Sequence, residues 1–152
     1  MATKLAGQVA DGMIGAVADA QQVKVFDAAG GKGQLRFGKI IVCWAEGEEK
    51  ARRTAHEWFP NAAMGAYALD IRLPQHFQQI ALGISDDAIA EAVVCGPDPR
   101  RHVAAIKEYF DVGYELVFVH QIGPDQEAFL RFYEREVLPT FQRSPTSAGD
   151  GR

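Results

Sequence analysis

Ile40-Ile41-Val42-Cys43-Trp44 is an unbroken apolar run that closes the segment Leu35 to Trp44, LRFGKIIVCW. A strand with one wet face alternates polar and apolar residues, whereas a strand without alternation has both faces covered, as in a parallel sheet layered with helices. The run therefore predicts a central parallel strand, and the flanking patterns supply its helices. Leu5 and Val9 mark one face of a helix over residues 3 to 9, before a short apolar strand at Met13-Ile14. A second helix, about 19 to 28, carries Val23 and Phe26 and stops at Ala29-Gly30-Gly31-Lys32-Gly33. Beyond the central strand, a helix over about 46 to 59 pairs Glu48 with Arg52 and Glu49 with Arg53 on its wet side, with Ala51, Ala55 and Trp58 on the packed side.

Pro60 to Gly83 reads as a long irregular insertion. Ser85 caps a short helix expected to run to about Val94, and Gly96 ends it. Asp98-Pro99 opens another helix, with Val103, Ile106 and Phe110 inward and Gly113 closing it. Tyr114 to His120 is the last strand and Asp125 to Leu138 the last helix. Helices and strands thus alternate, which defines an α/β fold with parallel strands and right-handed crossovers. A domain over residues 1–142 is followed by 143–152, RSPTSAGDGR, which has nothing to bury and is expected to be mobile.

Charge excludes one class of partner. The 16 Lys and Arg residues are outnumbered by 20 Asp and Glu and form no stripe, so no nucleic acid is expected. Cys43 and Cys95 lie in apolar runs and read as small buried hydrophobes in a reducing cytoplasm. Gln8 and Asp11 interrupt the first apolar stretch, so neither a signal peptide nor a membrane span is expected.

In alternating α/β folds, ligands bind at the carboxyl ends of the strands. VFVHQIGPDQ puts His120 and Gln121 at such an end, beside Asp125 and Gln126 at the next helix start. These residues either line a crevice or merely cap a strand and a helix. In CGPDPRRHV, Arg100 and Arg101 occupy a first helical turn, where the dipole disfavours cations unless an anion is present. They are an anion site or two solvated surface side chains. Gly30-Gly31-Lys32-Gly33 follows a helix and lacks a Lys-Ser/Thr pair, so it is no phosphate cradle. His56 and His76 have no partner at metal-ligand spacing, and no metal site is expected.

LAGQVADGMIG, VCWAEGEEKARRTAHEWFPNA, AIAEAVVCGPDPRRHVAAIKEY and VFVHQIGPDQEAFLRFYEREVLP together resemble the C-terminal part of luciferase-like oxidoreductases. The resemblance is to the branch dependent on the deazaflavin coenzyme F420 and akin to glucose-6-phosphate dehydrogenases, and it covers residues 3 to about 141. It implies the C-terminal part of a TIM (β/α)8 barrel: about three parallel strands with flanking helices, an incomplete barrel. It further implies coenzyme F420, or FMN in sister branches, exchanging hydride with a small-molecule substrate.

The family's catalytic histidine, tryptophan and glutamate belong to the part that precedes this sequence. No catalytic residue is therefore expected here, and the isolated chain is expected to be inactive, as a truncated or split product or a fragment. His120, Gln121 and Arg101 are the expected cofactor contacts. Asp19 and Gln79 stand where glucose-6-phosphate members carry phosphate-binding lysines, which argues against that substrate. The expected partner is a second copy of the chain or a complementing N-terminal barrel half, with Ile40, Val42 and Val117 near the interface or an exposed edge. The alternatives are a non-catalytic α/β module that associates with another chain and a fragment of an FMN-dependent monooxygenase.

Overall fold

The computed structural model describes residues 1–141; the expected mobile tail, 143–152, lies outside them. Helix α1 (Ala2–Val9) leads into strand β1 (Gly12–Gly15), followed by α2 (Ala20–Phe26), whose turns widen over Asp27–Gly31 and end at Gly30 with φ 120°. Strand β2 (Leu35–Cys43) precedes α3 (Glu48–Trp58). The insertion forms a tight helical segment, Pro60–Leu69, and α4 (Pro74–Ala81). Then come α5 (Asp86–Ala92), the two-residue strand β3 (Val94–Cys95), α6 (Pro99–Asp111), β4 (Leu116–Gln121) and α7 (Gln126–Phe132), which continues through Tyr133–Val137. The side chains of Ser85, Asp98 and Asp125, as expected, and of Asp19, which the sequence pattern does not single out as a cap, each accept a hydrogen bond from a backbone N–H in the first turn. Each such cap contributes about 1 kcal/mol.

All strand pairs are parallel, as expected, and β2 is the hub. It pairs with β4 from Phe37↔Leu116 to Val42↔Gln121, with β1 from Gly12↔Leu35 to Gly15↔Gly38, and with β3 at Val42↔Val94 and Cys43↔Cys95. Because Phe37 and Gly38 pair with both β1 and β4, and Val42 with both β3 and β4, β1 and β3 share one edge of β2 in succession. The sheet is therefore three strands wide at Phe37–Gly38 and at Val42, and two strands wide between them. The helix expected to reach Val94 stops at Ala92, because the chain turns there to extend that shared edge.

One face of the sheet is closed. Met13, Ile40 and Val42 pack against Val23 and Phe26 of α2, Ile106 and Tyr109 of α6, and Phe129, Tyr133 and Val137 of the last helix. Each such side chain contributes about 1.5–3 kcal/mol by leaving water. A second cluster gathers on the other face, only around the carboxyl ends: Ile41 and Cys43 meet Ala51 and Ala55 of α3, Ile89 of α5 and Cys95. Burial pushes the Cys43 thiol up to about 12 and the Cys95 thiol to about 11, so both stay protonated and pack as apolar groups.

Below that cluster the second face is open. Ile14 is 70% exposed and Phe118 55%, Leu35 and Leu116 are about as exposed as Phe118, and Phe37 stacks on Phe118 at 5.5 Å. The expectation that Leu35 to Trp44 is covered on both faces thus fails for its first half, where no helix crosses. The side chains of Ile40 and Val42 lie under the helix layer, and Val117 sits on β4, which pairs with β2 alone; the open residues of the second face are Leu35 and Phe37 on β2 and Leu116 and Phe118 on β4. Trp58, expected on the packed side of α3, is 56% exposed, whereas Ala51 and Ala55 are fully buried.

Two tyrosines seal the point where β1 stops. The Tyr109 hydroxyl lies between the carbonyls of Ala16 (3.0 Å) and Lys39 (2.9 Å), and the Tyr114 hydroxyl donates to Val17 at 3.2 Å. Their rings meet edge to face at 5.4 Å and are seated on Gly38 and Gly15, where a Cβ would overlap them. Nearby, His102 is fully buried; Nε2 donates to the Gly96 carbonyl (2.9 Å), and Nδ1 accepts from the Tyr133 hydroxyl (2.9 Å). Burial, partly countered by the Gly96 bond, holds this imidazole below its usual range.

Two outcomes follow from this packing. Gly38→Ala should lower unfolding free energy by about 1–3 kcal/mol in urea, since the Tyr109 ring must move off the strand. Because the folded pKa of His102 is depressed, the unfolded chain binds more protons below about pH 6.5, and stability should fall as pH drops through that value toward the folded pKa. Urea titrations at about pH 7.5 and 5.5 should show this loss, and a smaller one in His102→Gln.

Candidate functional site

The carboxyl ends of β2 and β4 are tied together by a single side chain. Gln121 accepts a hydrogen bond from the Trp44 N–H at 2.8 Å through Oε1, and donates through Nε2 to the Trp44 carbonyl at 3.2 Å. The amide thus imitates one more rung of ladder after the backbone pairing at Val42 has ended. Gly123 is held beside it because a Cβ there would press on the Gln121 amide nitrogen. Gln126 then donates to the Gly123 carbonyl at 2.6 Å, and the Asp125 carboxylate caps α7. Of the polar corner read from the sequence, Gln121, Asp125 and Gln126 therefore hold backbone in place.

His120 points the other way. Strand alternation puts it on the face of Phe118 and Ile41, opposite to the buried Gln121. It is exposed, and Phe59, at the end of α3, approaches its ring edge-on at 6.2 Å. Consecutive residues at this strand end thus divide the work: Gln121 fastens the wall and His120 presents an imidazole to the concave side.

Arg101 belongs to a different neighbourhood. Its guanidinium donates to Glu48 (3.0 Å) and to the Cys95 carbonyl (3.0 Å) at the tip of β3. Glu48 also receives Arg52, which reaches Asp87 at 2.9 Å, so α3, α5 and α6 are stitched together around one carboxylate whose pKa the Arg52 hydrogen bond lowers. Arg100 turns back onto the cap residue Asp98, with bonds of 3.0 and 2.9 Å. The dipole conflict noted in the sequence is relieved by Asp98 and Glu48 within the chain, without an external anion. Arg101 is part-exposed, at 38%, and uses one nitrogen for both contacts.

The insertion adds two grooves. One, of about 510 Å³, is lined by Arg53, His56, Glu57, Leu82 and Asp86, with His56 Nδ1 2.5 Å from Asp86. The other, of about 730 Å³, runs along α4 past Leu73, His76, Gln79 and Ile80. Asp19 caps α2. Among the described residues, no group of three or more His, Cys, Asp or Glu could hold a metal, and no helix is long and apolar enough to cross a membrane. The Gln121 clamp and the His56–Asp86 pair were missed by sequence reasoning. The clamp's only signal was a polar residue at the end of an apolar strand; the pair spans 30 positions and had none.

A parallel sheet with one face closed by helices, and the other covered only at the strand ends where His120 lies, is the wall of an α/β barrel, here incomplete. No protein-family model matches the chain. It is similar to the F420-dependent glucose-6-phosphate dehydrogenase of Microbacterium testaceum, at 27% identity over 93% of this chain and 46% of that enzyme. It is also similar to the enzyme of that name from Nakamurella multipartita, at 26% over 91% of this chain and 44% of the other. The fold matches an F420-dependent secondary alcohol dehydrogenase solved with an F420–acetone adduct, at TM-score 0.72 and 16% identity, covering 93% of this chain and 46% of that one. A coenzyme F420-dependent tetrahydromethanopterin reductase from Methanopyrus kandleri matches at TM-score 0.63 and 20% identity, over 92% and 48%. The chain is thus similar in sequence to F420-dependent glucose-6-phosphate dehydrogenases, and it spans just under half the length of the curated relatives it matches.

Replacing Gln121 with Leu keeps the size of the side chain but leaves the Trp44 N–H and carbonyl without partners in a part-buried place. Unfolding free energy should fall by about 1–3 kcal/mol in urea, and amide exchange should quicken at Trp44 before it does at Ile40.

Proposed function

We propose that this chain is one section of an F420-dependent oxidoreductase barrel and forms part of the wall of its cofactor crevice. The observation that carries the reading is His120: an exposed imidazole on the face opposite the main helix layer, at the strand end where barrels of this class bind their ligands. Bound there, coenzyme F420 would supply hydride transfer to or from a small organic substrate. His120 would contact cofactor or substrate, Gln121 would hold the wall beneath it, and the uncommitted nitrogens of Arg101 would offer an anion contact. Asp19 and Gln79, one engaged as a helix cap and the other on α4, support a substrate other than glucose 6-phosphate.

The test has two parts. The purified chain, mixed with oxidised or reduced coenzyme F420 and a panel of small alcohols and ketones, should show no turnover; turnover above background in a mass-verified sample would overturn the reading of it as a section. In a barrel completed with the missing strands, coenzyme F420 should bind in preference to FMN, and His120→Ala should weaken binding about tenfold, the equivalent of about 1.4 kcal/mol. FMN binding in its place would assign the chain to the monooxygenase side of the superfamily. Arg101→Ala with unchanged affinity would leave that residue a purely structural clasp for Glu48.

A further inference from the structure

Glu48 stands between two guanidinium groups. Its Oε1 accepts from Arg52 Nε at 3.2 Å and Nη2 at 2.6 Å, one turn further along α3, and from Arg101 Nη1 at 3.0 Å, at the start of α6. The same Arg101 nitrogen donates to the Cys95 carbonyl, which pins the guanidinium at the tip of β3, the end of the strands where α/β folds bind ligands. Beside it a cleft of about 350 Å³ follows the stretch of β2 that pairs with neither β1 nor β3. Small side chains, among them Ala16, Ala90 and Ala105, leave that cleft open, and Lys39 is the other cation in its lining. Glu91 and Glu108 also line it, and both are exposed. Among the described residues, Glu48 is the one carboxylate within ion-pair distance of Arg101.

We propose that Glu48 determines which charge this end of the sheet accepts: it occupies Arg101 as an anionic ligand would and turns away phosphate dianions, so the group bound beside Arg101 is uncharged or singly charged. The inference rests on reading Arg101 as a contact for cofactor or substrate. Charge carries the argument. Arg52 and Arg101 are balanced by Glu48 and by Asp87, which Arg52 reaches at 2.9 Å, so the cluster offers no net positive charge to a ligand. A dianion approaching Arg101 meets a guanidinium already paired and the Glu48 carboxylate close behind it, and like charges a few ångströms apart repel. Glu48 does not swing aside, because two bonds from Arg52 hold it in place. A carbonyl or hydroxyl oxygen meets no such repulsion and can accept from the remaining nitrogens of Arg101.

The experiment titrates the full chain with inorganic phosphate by calorimetry at low ionic strength, beside Glu48→Gln and Glu48→Ala. Both variants should bind phosphate at least ~10-fold more tightly than wild type, and the gain should shrink as salt is added. Adding Arg101→Ala to Glu48→Gln should remove the gain, and Glu48→Asp, which keeps the charge, should bind no more tightly than wild type. Circular dichroism checks that each variant is folded; Glu48→Gln retains an oxygen for Arg52. Phosphate affinity unchanged in both neutral variants, or a gain that survives Arg101→Ala, would overturn the inference. The gain on this chain without coenzyme F420 binding in the completed barrel would leave the role of Glu48 standing and remove the proposed function. Coenzyme F420 binding without the gain would do the reverse.

Discussion

Every strand in this chain hangs on β2. Strands β1, β3 and β4 each pair with it, and none pairs with another. Its nine residues therefore carry the ladder on one edge and two successive partners on the other. The join between those two is the weak point, since β1 ends level with Gly38 and β3 begins level with Val42, leaving three residues of that edge without a strand. The Tyr109 hydroxyl supplies what a strand would have supplied, a donor for the Lys39 carbonyl, and Gly38 exists so that the ring can lie flat enough to reach it. Backbone groups near a core must be paired, and a side chain from α6 completes the pairing.

Much of this was legible in the sequence because it depends on neighbours along the chain. The apolar run at Ile40, the caps at Ser85, Asp98 and Asp125, and the Glu48–Arg52 and Glu49–Arg53 pairs are local, and each stands where its pattern put it. One miss is local, since Pro60 to Gly83 reads as irregular although Pro74 opens α4 there; the others are nonlocal. Val94–Cys95 is too short to show a strand period and becomes a strand only because β2 has an unfilled edge. The open face at Phe37 and Phe118 was hidden because a run without alternation reads as buried on both faces, whatever supplies the cover.

The site shows the same division. His120 and Gln121 were visible as a polar interruption, but only register reveals that they face opposite ways, and only the approach of Trp44 turns Gln121 into a clamp. For Arg100 and Arg101, the pattern suggested an unfilled anion site. The structure meets that demand from Asp98, two residues before Arg100, and from Glu48, 53 positions before Arg101. A helix dipole opposes a cation by a few tenths of a kcal/mol. A hydrogen-bonded carboxylate offsets that readily, so the sequence feature by itself carries little weight for a ligand.

The two faces of the sheet thus differ in how far they are finished. On the helix-covered side, apolar groups are packed, the His102 ring has partners at both nitrogens, and Gln121 spends both amide groups on backbone. On the concave side, closure extends only as far as α3, α5 and Pro60–Leu69 reach, around Cys43 and Ile41. The insertion therefore covers the carboxyl end, where a ligand would need a wall, and leaves bare the amino-terminal half, where a barrel needs only other strands. Covering that half requires strands with bulky apolar side chains to interleave with Phe37, Leu116 and Phe118.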